Sequence, residues 1–72
     1  MNDVEERLIR RPDVRGQSGL TDSAMDRLIR AGLFPRPVPL VPGGRAVAWR
    51  LSEVRTWIEG RIAARDAVEP TP

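Results

Sequence analysis

Apolar residues recur at helical spacing in two places along the chain, Met25 to Ile29 and Val54 to Ile62, and between them lies a proline-rich stretch that no helix could accommodate. The start, residues 1–7, is polar and expected to be flexible, and Leu8-Ile9 is the first apolar pair able to anchor the chain to a core. A first short helix is predicted over Pro12–Ser18, with Val14 as its main apolar contact. Pro12 suits the first helical position, where its missing N–H costs nothing, and Asp13 suits the positive end of the helix dipole. Gly19 ends this helix, and Gly19-Leu20 reads as a tight turn with Leu20 facing inward. Thr21 is a suitable N-cap for a second helix starting at Asp22. There Met25, Leu28 and Ile29 fall at i, i+3 and i+4, which turns Ser23, Asp26, Arg27 and Arg30 toward solvent. Gly32 is the expected stop.

The segment from Phe34 to Pro42 carries Pro35, Pro37, Pro39 and Pro42 and must run extended, as an edge strand or a polyproline-like arm. Gly43-Gly44 is expected to supply the positive φ of a tight hairpin, after which Arg45–Trp49 returns as a strand with period-two alternation. That hairpin would be a wing. Ser52 is expected to cap a third helix in which Val54, Trp57, Ile58 and Ile62 form one stripe, surrounded by Arg55, Glu59, Arg61 and Arg65. Both Trp49 and Trp57 occupy inward positions, so a core role outweighs a role as stacking platforms for bases. The predicted fold is mainly α with a small β-hairpin, a winged helix-turn-helix over residues 8–65, followed by a disordered tail over residues 66–72.

Composition narrows the function. A chain of 72 residues supports one small core, and with no Cys and no His it has neither disulfides, zinc sites and thiol chemistry nor any proton shuttle near neutral pH. No enzyme, metal or cofactor is expected. The short apolar runs and the acidic start suggest neither a membrane span nor a signal peptide, so a cytoplasmic protein is expected. The net charge of +2 says little by itself, but its distribution is uneven. Residues 1–26 hold four Arg against six acids, residues 27–50 hold five Arg (Arg27, Arg30, Arg36, Arg45, Arg50) and no acid, and residues 51–72 hold three Arg against four acids. A basic middle between mildly acidic flanks is the pattern of a phosphate-binding face, which makes double-stranded DNA the expected partner. In this arrangement the second helix offers Ser23, Arg27 and Arg30 to base edges and phosphates, while the wing lays an arginine on the backbone or in the minor groove. Asp26 either accepts a bond from cytosine N4 or pairs with Arg30 at i+4; the residues alone leave both open.

Several blocks then carry a resemblance: Pro12-Asp13-Val14, Ser18-Gly19-Leu20-Thr21, Arg27-Leu28-Ile29, Gly32 to Val38, Gly43 to Trp49, and Ser52-Glu53-Val54 with Trp57-Ile58. In order and spacing they resemble the AlpA family of phage and prophage regulators, a family similar in fold to MerR-type winged helices and to phage excisionases. The resemblance covers residues 8–65 and implies Thr21, Ser23, Arg27 and Arg30 as recognition-helix positions, with Arg36, Gly43, Gly44 and Arg45 in the wing. It also implies an excisionase that steers a cognate integrase toward excision, or else a transcriptional regulator without a recombination role. Head-to-tail self-association on DNA is expected, and no small-molecule effector, because the sequence leaves no room for an effector domain. Three departures stand out. Ala24 and Asp26 replace a hydroxyl residue and an aromatic, Val41-Pro42 reads as an insertion ahead of the glycine turn, and Pro39 stands where a basic residue is common.

Overall fold

A computed structural model describes residues 6–68. In chain order the elements are strand β1 (Leu8–Ile9), helices α1 (Arg11–Ser18) and α2 (Asp22–Arg30), strands β2 (Val38–Pro39) and β3 (Val47–Arg50), and helix α3 (Leu51–Ala67). The expected architecture, mostly helical with a small wing, is the one observed. The sheet is larger than expected, because Leu8-Ile9 is a strand and not merely an apolar anchor. It is antiparallel with order β1-β3-β2, pairing Leu8 with Arg50 and Ile9 with Trp49 on one side of β3, and Val38 with Ala48 and Pro39 with Val47 on the other. The centre of the sheet falls on β3, whose residues are free to bond on both sides, whereas Pro39 is tolerated because β2 is an edge.

Nearly every element contributes to the core. Ile9 from β1, Val14 from α1, Met25 from α2, Phe34 from the arm, Trp49 from β3, and Leu51 and Val54 from α3 form one buried cluster, with Leu20, Leu28, Ile29, Val47, Trp57 and Ile58 packed partly against it. Trp49 lies at its centre with 0% of its surface exposed. Its indole Nε1–H donates to the Pro35 carbonyl at 3.0 Å, so the residue that fills the core also fixes the entry of the proline arm. Trp57 is only half-buried. It donates to the Leu33 carbonyl at 2.7 Å and meets Phe34 edge-on, with ring centroids 4.8 Å apart.

Three local expectations are corrected. Ser52 is not a cap, since α3 begins directly after β3 and Ser52 lies within it. The physical reason is that the Leu51 amide, an orphan donor at the helix start, is satisfied by the Arg7 carbonyl at 2.9 Å, so the chain leading into β1 does the work of a capping side chain. In the wing, Gly43 has φ 76° but Gly44 does not adopt a positive φ. The turn is Val41-Pro42-Gly43-Gly44, closed by the Gly44 N–H on the Val41 carbonyl at 2.9 Å. Proline at the second position and a left-handed glycine at the third is the type II pattern. Val41 and Pro42, expected to precede the turn, therefore form its first half. Finally, Ile62 is 48% exposed and leaves the inner stripe of α3, because the core ends at Ile58; the helix itself continues to Ala67, past the expected domain end at Arg65. Residues 69–72, most of the expected disordered tail, and residues 1–5 lie outside the described residues. No helix among the described residues is long and apolar enough to cross a membrane.

Candidate nucleic-acid interface

The two helices of the turn are fixed by hydrogen bonds that the sequence supplies locally. Ser18 Oγ donates to the Val14 carbonyl at 2.8 Å and accepts from the Leu20 amide at 3.2 Å, closing α1, while Gly19 takes φ 76° as its left-handed cap. Three residues on, Thr21 Oγ1 accepts from the Ala24 amide at 3.1 Å and caps α2. The other end of α2 closes as a Schellman motif: the Leu33 amide donates to Leu28 at 2.8 Å and the Gly32 amide to Ile29 at 3.0 Å. With both ends held and Met25 fully buried, α2 can turn only one face outward. That face carries Thr21, Ser23, Asp26, Arg27 and Arg30, all exposed.

Arg27 and Arg30 form no ion pair among the described residues, and neither do Arg36 at the arm or Arg45 beside the wing turn, both exposed. Gly43 and Gly44 sit exposed at the wing tip. Unpaired guanidinium groups on a capped helix and on a hairpin can bind phosphate oxygens and base edges. The hydroxyls of Thr21 and Ser23 stand exposed beside them, the Thr21 oxygen also serving as the cap of α2.

Two expected site residues have other partners. Asp26 pairs neither with Arg30 nor with solvent alone; its Oδ1 accepts from Arg11 Nη2 at 3.0 Å across the interface with α1. Asp22, one turn earlier, accepts from Arg11 Nη1 at 3.2 Å and lies 3.5 Å from Arg15 Nη1. The reason is geometric: Arg11 and Arg15 are spaced i, i+4 on α1, as are Asp22 and Asp26 on α2, and the turn sets these two rows against each other. Arg15 is the weaker member, with its Nε buried and lacking an acceptor. The Arg11 guanidinium carbon also lies 5.5 Å from the centroid of the buried Trp49 ring, within cation–π range. Ion pairs this exposed contribute only about 0.2–1 kcal/mol each, so their effect lies more in placing charge than in stability.

Arg50, expected on the basic face, is also engaged. Its Nε donates to Glu6 Oε2 at 2.8 Å, Nη2 donates to the same oxygen, and Nη1 lies 3.7 Å from Glu53. Ser52 Oγ donates to Glu6 Oε1 at 3.0 Å, completing a clamp between the chain before β1 and the start of α3. The hydrogen bonds from Arg50 and then Ser52, with the Arg50 charge behind them, hold the Glu6 carboxyl below its ordinary range, and Glu6 in turn raises Arg50. Sequence reasoning missed Glu6, Arg11 and Arg15. The matched i, i+4 rows on successive helices were a usable signal for the last two; nothing local marks Glu6, whose partners lie more than forty residues away.

The profile of the family described as prophage CP4-57 regulatory protein (AlpA) matches residues 7–62, which takes in every element except the last turns of α3. The chain is also similar to the uncharacterized protein ORF88 of Enterobacteria phage P4, at 49% identity over 62 residues, covering 86% of this chain and 68% of that protein. With a match across the whole helix-turn-helix and wing, the chain belongs to the AlpA family of phage regulatory proteins.

Proposed function

We propose that this protein binds double-stranded DNA sequence-specifically and serves a phage or other mobile element as an excisionase, seating several copies on repeated sites, bending the DNA and directing a cognate integrase toward excision. The observation that carries the DNA-binding reading is that the capped second helix and the wing each bring two exposed arginines without an ion pair among the described residues, Arg27 and Arg30 on the helix and Arg36 and Arg45 at the wing. In this reading α2 enters the major groove with Thr21, Ser23, Arg27 and Arg30, and the wing tip at Gly43-Gly44 lets Arg45 approach the backbone. Arg50 is left out, because its guanidinium is held by Glu6 and Glu53.

Size supports assembly on DNA. One module of this kind buries only about 600–1,000 Å² on a duplex, too little for high specificity alone, so neighbouring copies must assist. A head-to-tail contact need not close and can propagate along the duplex, which favours an architectural role. A second reading, a transcriptional regulator without a recombination role, is supported by the regulatory description of the family.

The first test is a titration against sites selected from a random duplex library, at several salt concentrations. Arg45→Ala should weaken all duplexes about equally and lower the salt slope by about 0.9. Arg27→Ala should reduce the ratio of specific to non-specific affinity, by about 1–3 kcal/mol for each lost base contact. Salt-independent binding would refute the phosphate-face reading. The second test is excision in vitro by the cognate integrase: if recombination proceeds equally without the protein and sites fill independently, the regulator reading replaces the excisionase one.

A further inference from the structure

Asp22 and Asp26 present a physical conflict. They place two carboxylates on the helix that also carries Arg27 and Arg30, and Asp26 stands four residues before Arg30, the spacing at which an isolated helix pairs an acid with a base. Left to themselves, these residues would bring Arg30 onto Asp26, and the second helix would meet phosphates with its charge largely cancelled.

The structure resolves the conflict from outside the helix. Arg11 donates from Nη1 to Asp22 Oδ1 at 3.2 Å and from Nη2 to Asp26 Oδ1 at 3.0 Å. Its guanidinium lies 5.5 Å from the Trp49 ring centroid, and Trp49 in turn binds the Pro35 carbonyl beside Arg36. One planar fork therefore spans two carboxylates while resting on a core ring, a geometry that a point-charge ammonium could not reproduce.

We propose that Arg11 is a positioning residue for DNA recognition. By holding Asp26 toward α1 it leaves Arg30 free for phosphate, and by joining α2 to Trp49 it sets the recognition helix relative to the arm that leads into the wing. This inference rests on the DNA-binding reading above and assigns Arg11 no direct contact with DNA.

The experiment compares wild type, Arg11→Gln and the double variant Arg11→Gln/Asp26→Asn, binding a labelled random-sequence duplex of about 20–30 base pairs across a salt series. Without Arg11, Asp26 recaptures Arg30, so one phosphate contact is lost. At 0.1 M salt a slope change of about 0.9 corresponds to roughly eightfold weaker binding, with the salt slope lower by the same 0.9. Removing the Asp26 charge as well should return both affinity and slope toward wild type. A purely structural role would not be rescued this way, since the double variant has even fewer of the original bonds. Circular dichroism melts check folding, and if Arg11→Gln melts below the assay temperature, Arg11→Met, which keeps an apolar stem on the Trp49 ring, makes the same comparison. A double variant that stays as weak as Arg11→Gln, or an Arg11→Gln protein that binds like wild type, overturns the proposal. If wild type itself binds no duplex at low salt, the DNA-binding reading falls and this inference falls with it.

Discussion

Replacing Trp49 by Ala should nearly unfold the protein, and replacing Trp57 should not, although the sequence places both rings in the core. Trp49 is 0% exposed and lies in the cluster formed by Ile9, Val14, Met25, Phe34, Leu51 and Val54. A buried indole removes about 150–250 Å² from water, which at about 25 cal/mol per Å² corresponds to about 4–6 kcal/mol, in line with about 3–5 kcal/mol for large-to-small aromatic truncations. The bond from Nε1–H to the Pro35 carbonyl adds about 1 kcal/mol. A domain of 72 residues has a total stability of only about 4–11 kcal/mol, so the loss is half of it or more. Trp57 is only partly buried, so by the same area argument its truncation should cost less than that of Trp49. Urea unfolding followed by far-UV circular dichroism measures both. With m near 1 kcal/mol/M for a protein this small, Trp49→Ala should shift the midpoint by several molar or abolish the transition. A Trp49→Ala protein with a wild-type midpoint, or a Trp57→Ala protein destabilised as much as Trp49→Ala, would refute this account of the core.

Two further predictions concern the backbone and the clamp. Gly60 lies inside α3 with open space where a Cβ would stand and without a positive φ, so Gly60→Ala should stabilise by about 0.5–1 kcal/mol; Gly32 has equal space but φ 76°, so Gly32→Ala should destabilise by about 1–2 kcal/mol, and thermal melts in which both change stability in the same direction would contradict the assignment. Because the folded-state pKa of Glu6 is depressed below its ordinary 4.5, the stability it contributes is fully present above that value and is lost as pH falls through the lower folded value. Melts of wild type and Glu6→Gln should therefore differ at pH 6 and converge on acidification below pH 4.5, and a difference that grows with acid would show the opposite sign.

What was legible in the sequence was what local chemistry decides. Gly19, Thr21 and Gly32 each act within four residues of themselves, through a left-handed φ or a cap, and the helices they bound are found within about one residue of the expected positions. The wing was legible for the same reason, because prolines forbid helix over residues 35–42. What escaped was non-local. Leu8-Ile9 is too short for any alternation to reveal and becomes a strand only because β3 offers a free edge. Ser52 looks like a cap when read alone, and the Arg7 carbonyl, more than forty residues earlier, makes that cap unnecessary.

The same distinction governs the charges. Counted along the chain, every charged residue between 27 and 50 is basic and α2 is compromised by its aspartates. Folding redistributes both sums. Glu6, which lies outside the basic run, binds Arg50 and removes it from the free cations, while Arg11 and Arg15, which also lie outside that run, bind Asp22 and Asp26 and relieve α2 of its acids. The acid-free stretch is thus an imperfect index of the basic surface: it overstates the junction of β3 with α3 and understates the second helix. Because each of these pairs is worth little in stability, the physical consequence of the arrangement is which guanidinium groups remain unpaired. Arg27 has no acid three or four residues before it, and Arg30 remains unpaired because the partner that a helix would ordinarily give it is already engaged by α1.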